Sequence, residues 1–166
     1  MKKESAMHIN WKKTTLAFGI PVFMAALAPT AYASTPTPMS GAFNATIAPV
    51  ASHSDGGNTF ISFTFTEAFT GTMSGTRVGT GTLVVHPDGT LNVLDTGLLT
   101  GSIAGATGTA TITGVGSGVF GSFMGRFRVS DAAGGLSGVR GEGSFTGSAT
   151  GPVSFAGTYT GQIQSS

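Results

Sequence analysis

One carboxylate, Glu67, stands among aromatic residues and is the first candidate for chemistry in this sequence. It lies an even number of residues from Phe63, Phe65 and Phe69, so a regular strand would direct all four side chains to one face. A carboxylate in such surroundings has a raised pKa and could act as an acid or anchor a ligand. The alternative, which we favour, is a fray or bulge near Thr66 that leaves Glu67 at a solvated rim.

Two arginines, Arg126 and Arg128, are the second candidate. They are two residues apart, which places them on one face of a strand, about 6.6 Å apart along it. In a barrel mouth they could clamp a carboxylate or phosphate group. Phe123 and Phe127 mark the opposite face as the core side, so we favour exposed arginines that pair with neighbouring carboxylates.

Tyr159 is the third candidate, on the apolar face of the last predicted strand between Gly157 and Gly161. A buried tyrosine hydroxyl usually finds a partner, and we favour a structural hydrogen bond over a ligand. His53 and His86 fall in a polar loop and a turn. We therefore predict no catalytic triad, no metal site and no cofactor.

The N-terminal segment 1–33 has the features of a secretory signal peptide. Its lysines precede an apolar stretch of 13 residues, 16–28, which is too short to cross a bilayer. A small-residue site predicts cleavage between Ala33 and Ser34, and translation could start at Met1 or Met7. We expect export to the periplasm or the cell exterior, with no stable membrane anchor after cleavage. A buried or membrane-spanning helix is the alternative.

The remaining chain is lysine-free and slightly acidic, because four arginines stand against six carboxylates and give a net charge of −2. Such a domain lacks the basic surface that nucleic acids require, so no nucleic-acid partner is expected. There is no cysteine, hence neither a disulfide nor a lipid attached at the cleavage site is available. The fold must be held by packing and backbone pairing, and the oligomeric state stays open.

Apolar residues alternate with threonine and serine after the leader, which predicts an all-β domain. Most of the 27 glycines punctuate these runs, and His86-Pro87-Asp88-Gly89 is typical of a tight hairpin turn. Further turns are predicted near 114–118 and 131–135, among other glycine clusters. Eight strands result, at approximately 41–51, 59–70, 76–86, 90–100, 106–114, 119–130, 136–147 and 152–163.

These strands predict an antiparallel, eight-stranded closed barrel over residues 41–163, preceded by a flexible tail at 34–40. Eight strands suit a barrel that is either filled by side chains or holds one small ligand. Closure removes exposed edges, which suits so weakly charged a protein. A two-sheet sandwich is the competing architecture.

The most distinctive motifs are Glu67–Gly71, Pro87–Thr90, Leu99–Gly101 and the glycine-rich run Gly134–Gly143. In this order they resemble a family of uncharacterised small bacterial barrels related to the allene oxide cyclase and dirigent barrels. The resemblance spans residues 40–163 and implies a barrel fold. The sequence departs from the pattern of this family at Ala106 and Ala110, where a basic and an aromatic side chain would be expected. No cyclase site can be carried over, and the activity stays open.

Two main functions are compatible with these observations. The first is non-catalytic: an exported barrel that binds a small apolar ligand or serves as a structural module. The second is a cyclase or isomerase that acts on an apolar substrate, with Glu67 and Tyr159 as its polar groups. The enzyme hypothesis requires both residues to point into one cavity. A self-associating surface or matrix protein is a third possibility.

Overall fold

The computed structural model describes residues 35–166, and this part of the chain forms eight antiparallel strands. The predicted all-β class and strand number are confirmed. The predicted leader and its cleavage site at Ala33 and Ser34 lie outside the described residues. The strands are β1 (Thr37–Asp55), β2 (Asn58–Gly71), β3 (Met73–Val85), β4 (Thr90–Ile103), β5 (Ala106–Val119), β6 (Ser122–Gly134), β7 (Val139–Ala149) and β8 (Ser154–Ser165).

Each strand pairs with the next, and β8 pairs with β1, so the sheet closes into a barrel. The closing ladder runs from Thr37 opposite Ile163 to Thr46 opposite Ser154. A sandwich would leave the sheet open, and the competing architecture is therefore wrong. Because every strand has two neighbours, the ring has no terminal strand.

The flexible tail predicted at 34–40 is wrong for its last four residues, because β1 begins at Thr37. These residues pair with β8, and the Met39 side chain is only 3% exposed. The start of β1 is therefore needed to close the ring. Alternation alone could not reveal this pairing, since the partner strand lies at the far end of the sequence.

The turns predicted at 114–118 and 131–135 are also wrong. Strand β5 continues to Val119 and β6 to Gly134. Within β6, Asp131 adopts a φ of 48° where the register of the β5–β6 pair shifts, so the chain bulges there without turning. The glycines of β5 are inward-facing strand positions, and a Cβ on Gly116 would lie 3.2 Å from the Phe145 ring.

Phenylalanine rings lie over glycines of the neighbouring strand on the inner face. The register sets Phe43 opposite Gly157 and Phe127 opposite Gly143. A Cβ on either glycine would come within 2.7 Å of a ring carbon of the facing phenylalanine. These rings therefore cover the barrel wall without filling its axis, a cross-strand aromatic–glycine pairing that also stabilises the sheet.

The interior divides into two halves. We call upper the end formed by the β1–β2, β3–β4, β5–β6 and β7–β8 connections, and lower the end that holds the others and the C-terminus. The lower half is filled, and Leu136 of the β6–β7 turn is fully buried there. Its packed residues include Met39, Met73, Leu99, Ile103, Val129 and Ile163.

Within the described range, no helix is long and apolar enough to span a membrane.

Candidate ligand cavity

The upper half of the barrel contains a cavity of about 280 Å³. Apolar protein cavities of about 150 Å³ already bind benzene, so this space suits a small organic molecule. The wall is mostly aromatic and aliphatic, and the β5–β6 and β7–β8 connections lie at the rim. The phenylalanines that line it are Phe43, Phe63, Phe65, Phe69, Phe120, Phe123, Phe127, Phe145 and Phe155.

Three charged residues of adjacent strands meet on the cavity wall, and we call them the Glu67–Arg77–Asp95 cluster. Glu67 on β2 stands directly opposite Arg77 on β3. The Arg77 Nη1 donates to Glu67 Oε2 at 2.9 Å, and Nη2 donates to Asp95 Oδ1 and, at 2.8 Å, to the Ile112 carbonyl oxygen. The guanidinium carbon also lies 4.6 Å from the centre of the Phe65 ring, a favourable cation–π distance.

Two glycines make room for this cluster. A Cβ on Gly97 would lie 3.1 Å from Arg77 Nε, and a Cβ on Gly114 would lie 2.9 Å from both Asp95 carboxylate oxygens. Any larger residue at these positions would displace the charged groups. The cluster is thus accommodated by the β4 and β5 strands as well as by its own hydrogen bonds.

The cluster holds one guanidinium between two carboxylates within a largely apolar space. Glu67 is 8% exposed and Arg77 is 5% exposed. Burial raises the pKa of Glu67, and the charge of Asp95 acts in the same direction, whereas the charge and hydrogen bond of Arg77 oppose the rise. With both carboxyl groups ionised, the cluster carries one uncompensated negative charge.

The unused hydrogen-bonding capacity of the cluster is mainly that of acceptors. Arg77 binds Oε2 of Glu67 and Oδ1 of Asp95, so Oε1 and Oδ2 receive no hydrogen bond from the described residues. Arg77 Nε is a buried donor without a partner in the same range, and one of the two N–H groups of Nη1 also has no partner there. Chemically, the cluster can receive a hydrogen-bond donor or a cation.

Glu67 occupies the inner face and lines the cavity, so the rim position that we favoured from the sequence is wrong. The β2–β3 register passes through Glu67 without a bulge. Glu67 can be buried on the inner face because the facing guanidinium of Arg77 offsets part of the cost of burying a carboxylate.

Tyr159 also faces inward and is 2% exposed. Its hydroxyl accepts a hydrogen bond from the Met73 N–H at 2.7 Å, and the carbonyl oxygens of Thr70 and Met73 both lie 3.2 Å from it. Burial raises the pKa of this phenol, while the Met73 N–H lowers it. The hydroxyl therefore ties β8 to the β2–β3 turn, which matches the structural hydrogen bond we favoured.

Arg126 and Arg128 are exposed on the outer face of β6, whereas Phe127 and Val129 between and beside them are buried. The barrel-mouth clamp predicted as an alternative is therefore wrong, and neither arginine lines the cavity. Their pairing with surface carboxylates also fails to form, because both ion pairs among the described residues belong to Arg77.

His86 lies in the β3–β4 turn, as predicted, whereas the polar loop predicted for His53 is wrong because His53 lies within β1, opposite Phe60. His53 stacks on Phe60 with ring centres 4.9 Å apart. His86 contacts the side chains of Asn58 and Asn92 at 2.8 and 2.7 Å, which braces the β3–β4 turn. Over residues 35–166, no group of three or more His, Asp or Glu side chains is arranged to hold a metal ion.

Arg77 and Asp95 are site residues that were not predicted from the sequence. A signal for both was present, because Asp95 has the strand parity of Val93 and Leu99, and Arg77 has the parity of Met73. A tight turn centred on Thr72 would have set Arg77 opposite Glu67. The pairing could not be predicted because a run of glycines and threonines leaves the exact position of this turn ambiguous.

Comparison with known proteins adds information on the fold. No protein-family model matches this chain, and no curated protein matches it. A similar solved structure is that of a protein of unknown function from the DUF3224 family of Shewanella oneidensis MR-1. It shares 16% sequence identity with a TM-score of 0.65, over 80% of this chain and 98% of that chain. This likeness supports the all-β architecture and, at such identity, nothing finer.

Proposed function

We propose that this chain is an exported, non-catalytic barrel that binds one small, mainly apolar molecule in its upper cavity. The observation that carries the proposal is the division of the interior, which is tightly packed below and hollow above. A purely structural module would gain stability by filling both halves, because empty apolar space forfeits packing contacts. An aromatic-lined cavity with a single polar cluster has the usual composition of a small-molecule site.

The apolar wall supplies the affinity in this proposal. Transfer of one aromatic or branched aliphatic group from water to such a wall is worth about 1.5 to 3 kcal/mol. The rim includes Phe120, which is 76% exposed, and Val153, which is 39% exposed. An apolar molecule can therefore meet apolar surface before it enters.

A matched pair of tryptophan variants tests the proposal. Ala45 lines the cavity and Ala48, on the same strand, is exposed on the outer face. Ala45→Trp should fill the cavity and abolish binding of the fluorescent apolar probe N-phenylnaphthylamine, whereas Ala48→Trp should bind one equivalent, as the unmodified protein does. Native mass spectrometry of protein purified from its own host should also show one small molecule bound. Failure of the unmodified protein to bind any apolar probe would refute the proposal.

A cyclase or isomerase remains the second candidate, because Glu67 and Tyr159 both line one cavity and the pKa of Glu67 is raised toward the range of a general acid or base. The Tyr159 hydroxyl is bound by backbone groups, which leaves the carboxyl groups of Glu67 and Asp95 for proton transfer. A relationship to the allene oxide cyclase and dirigent barrels, which we propose as part of the same hypothesis, would support this second candidate. Turnover of an apolar epoxide or alkene that Glu67→Gln abolishes would favour it.

The exported state has a simple optical test. The single tryptophan of the sequence is Trp11, inside the segment we propose is removed. Protein recovered from the periplasm or medium should begin at Ser34 and show no tryptophan emission. Recovery of an exported product that still emits as tryptophan would contradict cleavage at this site.

A further inference from the structure

The cavity has an uneven supply of hydrogen-bonding groups. The Nη atoms of Arg77 are engaged by Glu67, Asp95 and the Ile112 carbonyl group. Nη1 donates only one of its two N–H groups, to Glu67, and the buried Nε has no partner among residues 35–166. One oxygen of each carboxylate is likewise without a hydrogen bond in the same range. These two oxygens offer more unused acceptor sites than the guanidinium offers unused N–H groups, because each oxygen can accept two hydrogen bonds.

The charges are equally uneven. With both carboxyl groups ionised, two negative charges stand against the single positive charge of Arg77. The other lining residues are apolar or neutral, and Tyr159 is tied to the backbone. An uncompensated charge in low-dielectric surroundings is costly, and a ligand cation would remove this cost. A ligand carboxylate would add to it.

We propose that the molecule bound in the cavity carries a protonated primary amine at the end of an apolar body, and that Glu67 Oε1 and Asp95 Oδ2 receive this ammonium group. The inference rests on the proposed binding function and specifies the chemical class of its ligand. Two of the three N–H donors of an ammonium group can bind these two oxygens, and an alkylamine stays protonated below about pH 10. The phenyl-lined wall then holds the apolar body.

Three probes of one shape separate charge from apolar fit: phenylbutylamine, phenylbutanol and phenylbutyrate. Titration calorimetry at neutral pH should show the amine binding about tenfold more tightly than the alcohol, since hydrogen bonds to charged groups are the stronger ones. The carboxylate should bind at least about tenfold more weakly than the alcohol, because like charges would be brought together without solvent.

Variants that neutralise one charge assign the effect to the cluster. Glu67→Gln should reduce the amine advantage over the alcohol to within about threefold, since the amide keeps the shape but not the charge. Asp95→Asn makes the same charge change from the other side of Arg77 and serves if the first variant does not fold. Glu142→Gln is the matched control, because Glu142 is exposed on the outer face of β7, and it should keep the full preference.

The outcomes separate the two proposals. Tight binding of all three probes without an amine preference, or an amine preference that survives both cluster variants, would overturn the inference and leave cavity binding intact. A preference for phenylbutyrate would overturn it as well. Absence of binding by every probe to the unmodified protein would overturn both the inference and the proposed function.

Discussion

Replacement of Tyr159 by phenylalanine separates a structural hydroxyl from a ligand-binding one. The change removes a single oxygen that accepts a hydrogen bond from the Met73 N–H at 2.7 Å. The ring itself stays, with its edge-on contacts to Phe69 and Phe127 at centre distances of 5.7 and 6.2 Å. Any effect must therefore come from the polar contacts.

The magnitude follows from burial. Met73 is 1% exposed, so its N–H would be left without a partner in the lower core. An unsatisfied buried donor costs about 1 to 3 kcal/mol, and no cavity term is added because the ring volume is nearly kept. The free energy of unfolding should fall by that amount, and the melting temperature by roughly 3 to 5 °C per kcal/mol.

Urea denaturation followed by circular dichroism measures the loss, with titration of phenylbutanol alongside. Thr158→Val on the exposed outer face of β8 is the control, and its stability should stay within about 0.5 kcal/mol. Phenylbutanol affinity should be unchanged in Tyr159→Phe. Unchanged stability together with lost alcohol affinity would refute the assignment and place the hydroxyl in the ligand site.

Three further predictions concern the charged cluster. Arg77→Met should reduce the free energy of unfolding by about 3 to 5 kcal/mol at pH 7, because two carboxylates lose their buried partner. Denaturant titration should show a smaller reduction at pH 4, and an equal reduction at both pH values would contradict this. Gly114→Ala should cost about 1 to 3 kcal/mol by pushing Asp95 off Arg77, whereas Gly151→Ala, whose Cβ would lie 3.6 Å from its nearest neighbour, should be nearly neutral in the same assay. The pKa of Glu67 is raised from 4.5, so its contribution to stability is present below pH 4.5 and lost as pH rises through the folded pKa. The free energy of unfolding of Glu67→Gln should therefore increase relative to that of the unmodified protein as pH rises through this window, and a relative increase as pH falls would contradict the assignment.

Much of the fold could be predicted from alternation. The side chains of Phe63 and Phe65 and their threonine neighbours specify which face of β2 is buried, and the Pro87-Asp88 turn specifies one hairpin. The predictions failed where glycine has two uses. Gly114 and Gly116 look like turn residues in the sequence, but they are strand positions that make room for Asp95 and Phe145.

The site was harder to predict because it depends on contacts between strands. Parity placed Glu67 inward, but burial of a carboxylate is plausible only once its counter-charge is known. That counter-charge, Arg77, is set opposite by the β2–β3 register, and register depends on turn geometry. Asp95 reaches the same guanidinium from the next strand, past Gly97, where a side chain would come within 3.1 Å of Arg77 Nε.

A crystal structure of the phenylbutanol complex would show whether the upper half of the barrel is a ligand cavity. We expect one molecule inside the barrel, with its ring among Phe43, Phe63 and Phe123 and its hydroxyl donating to the Glu67–Arg77–Asp95 cluster. An upper half closed by collapsed phenylalanine rings, or the alcohol bound only on the outer surface, would show that no such cavity exists.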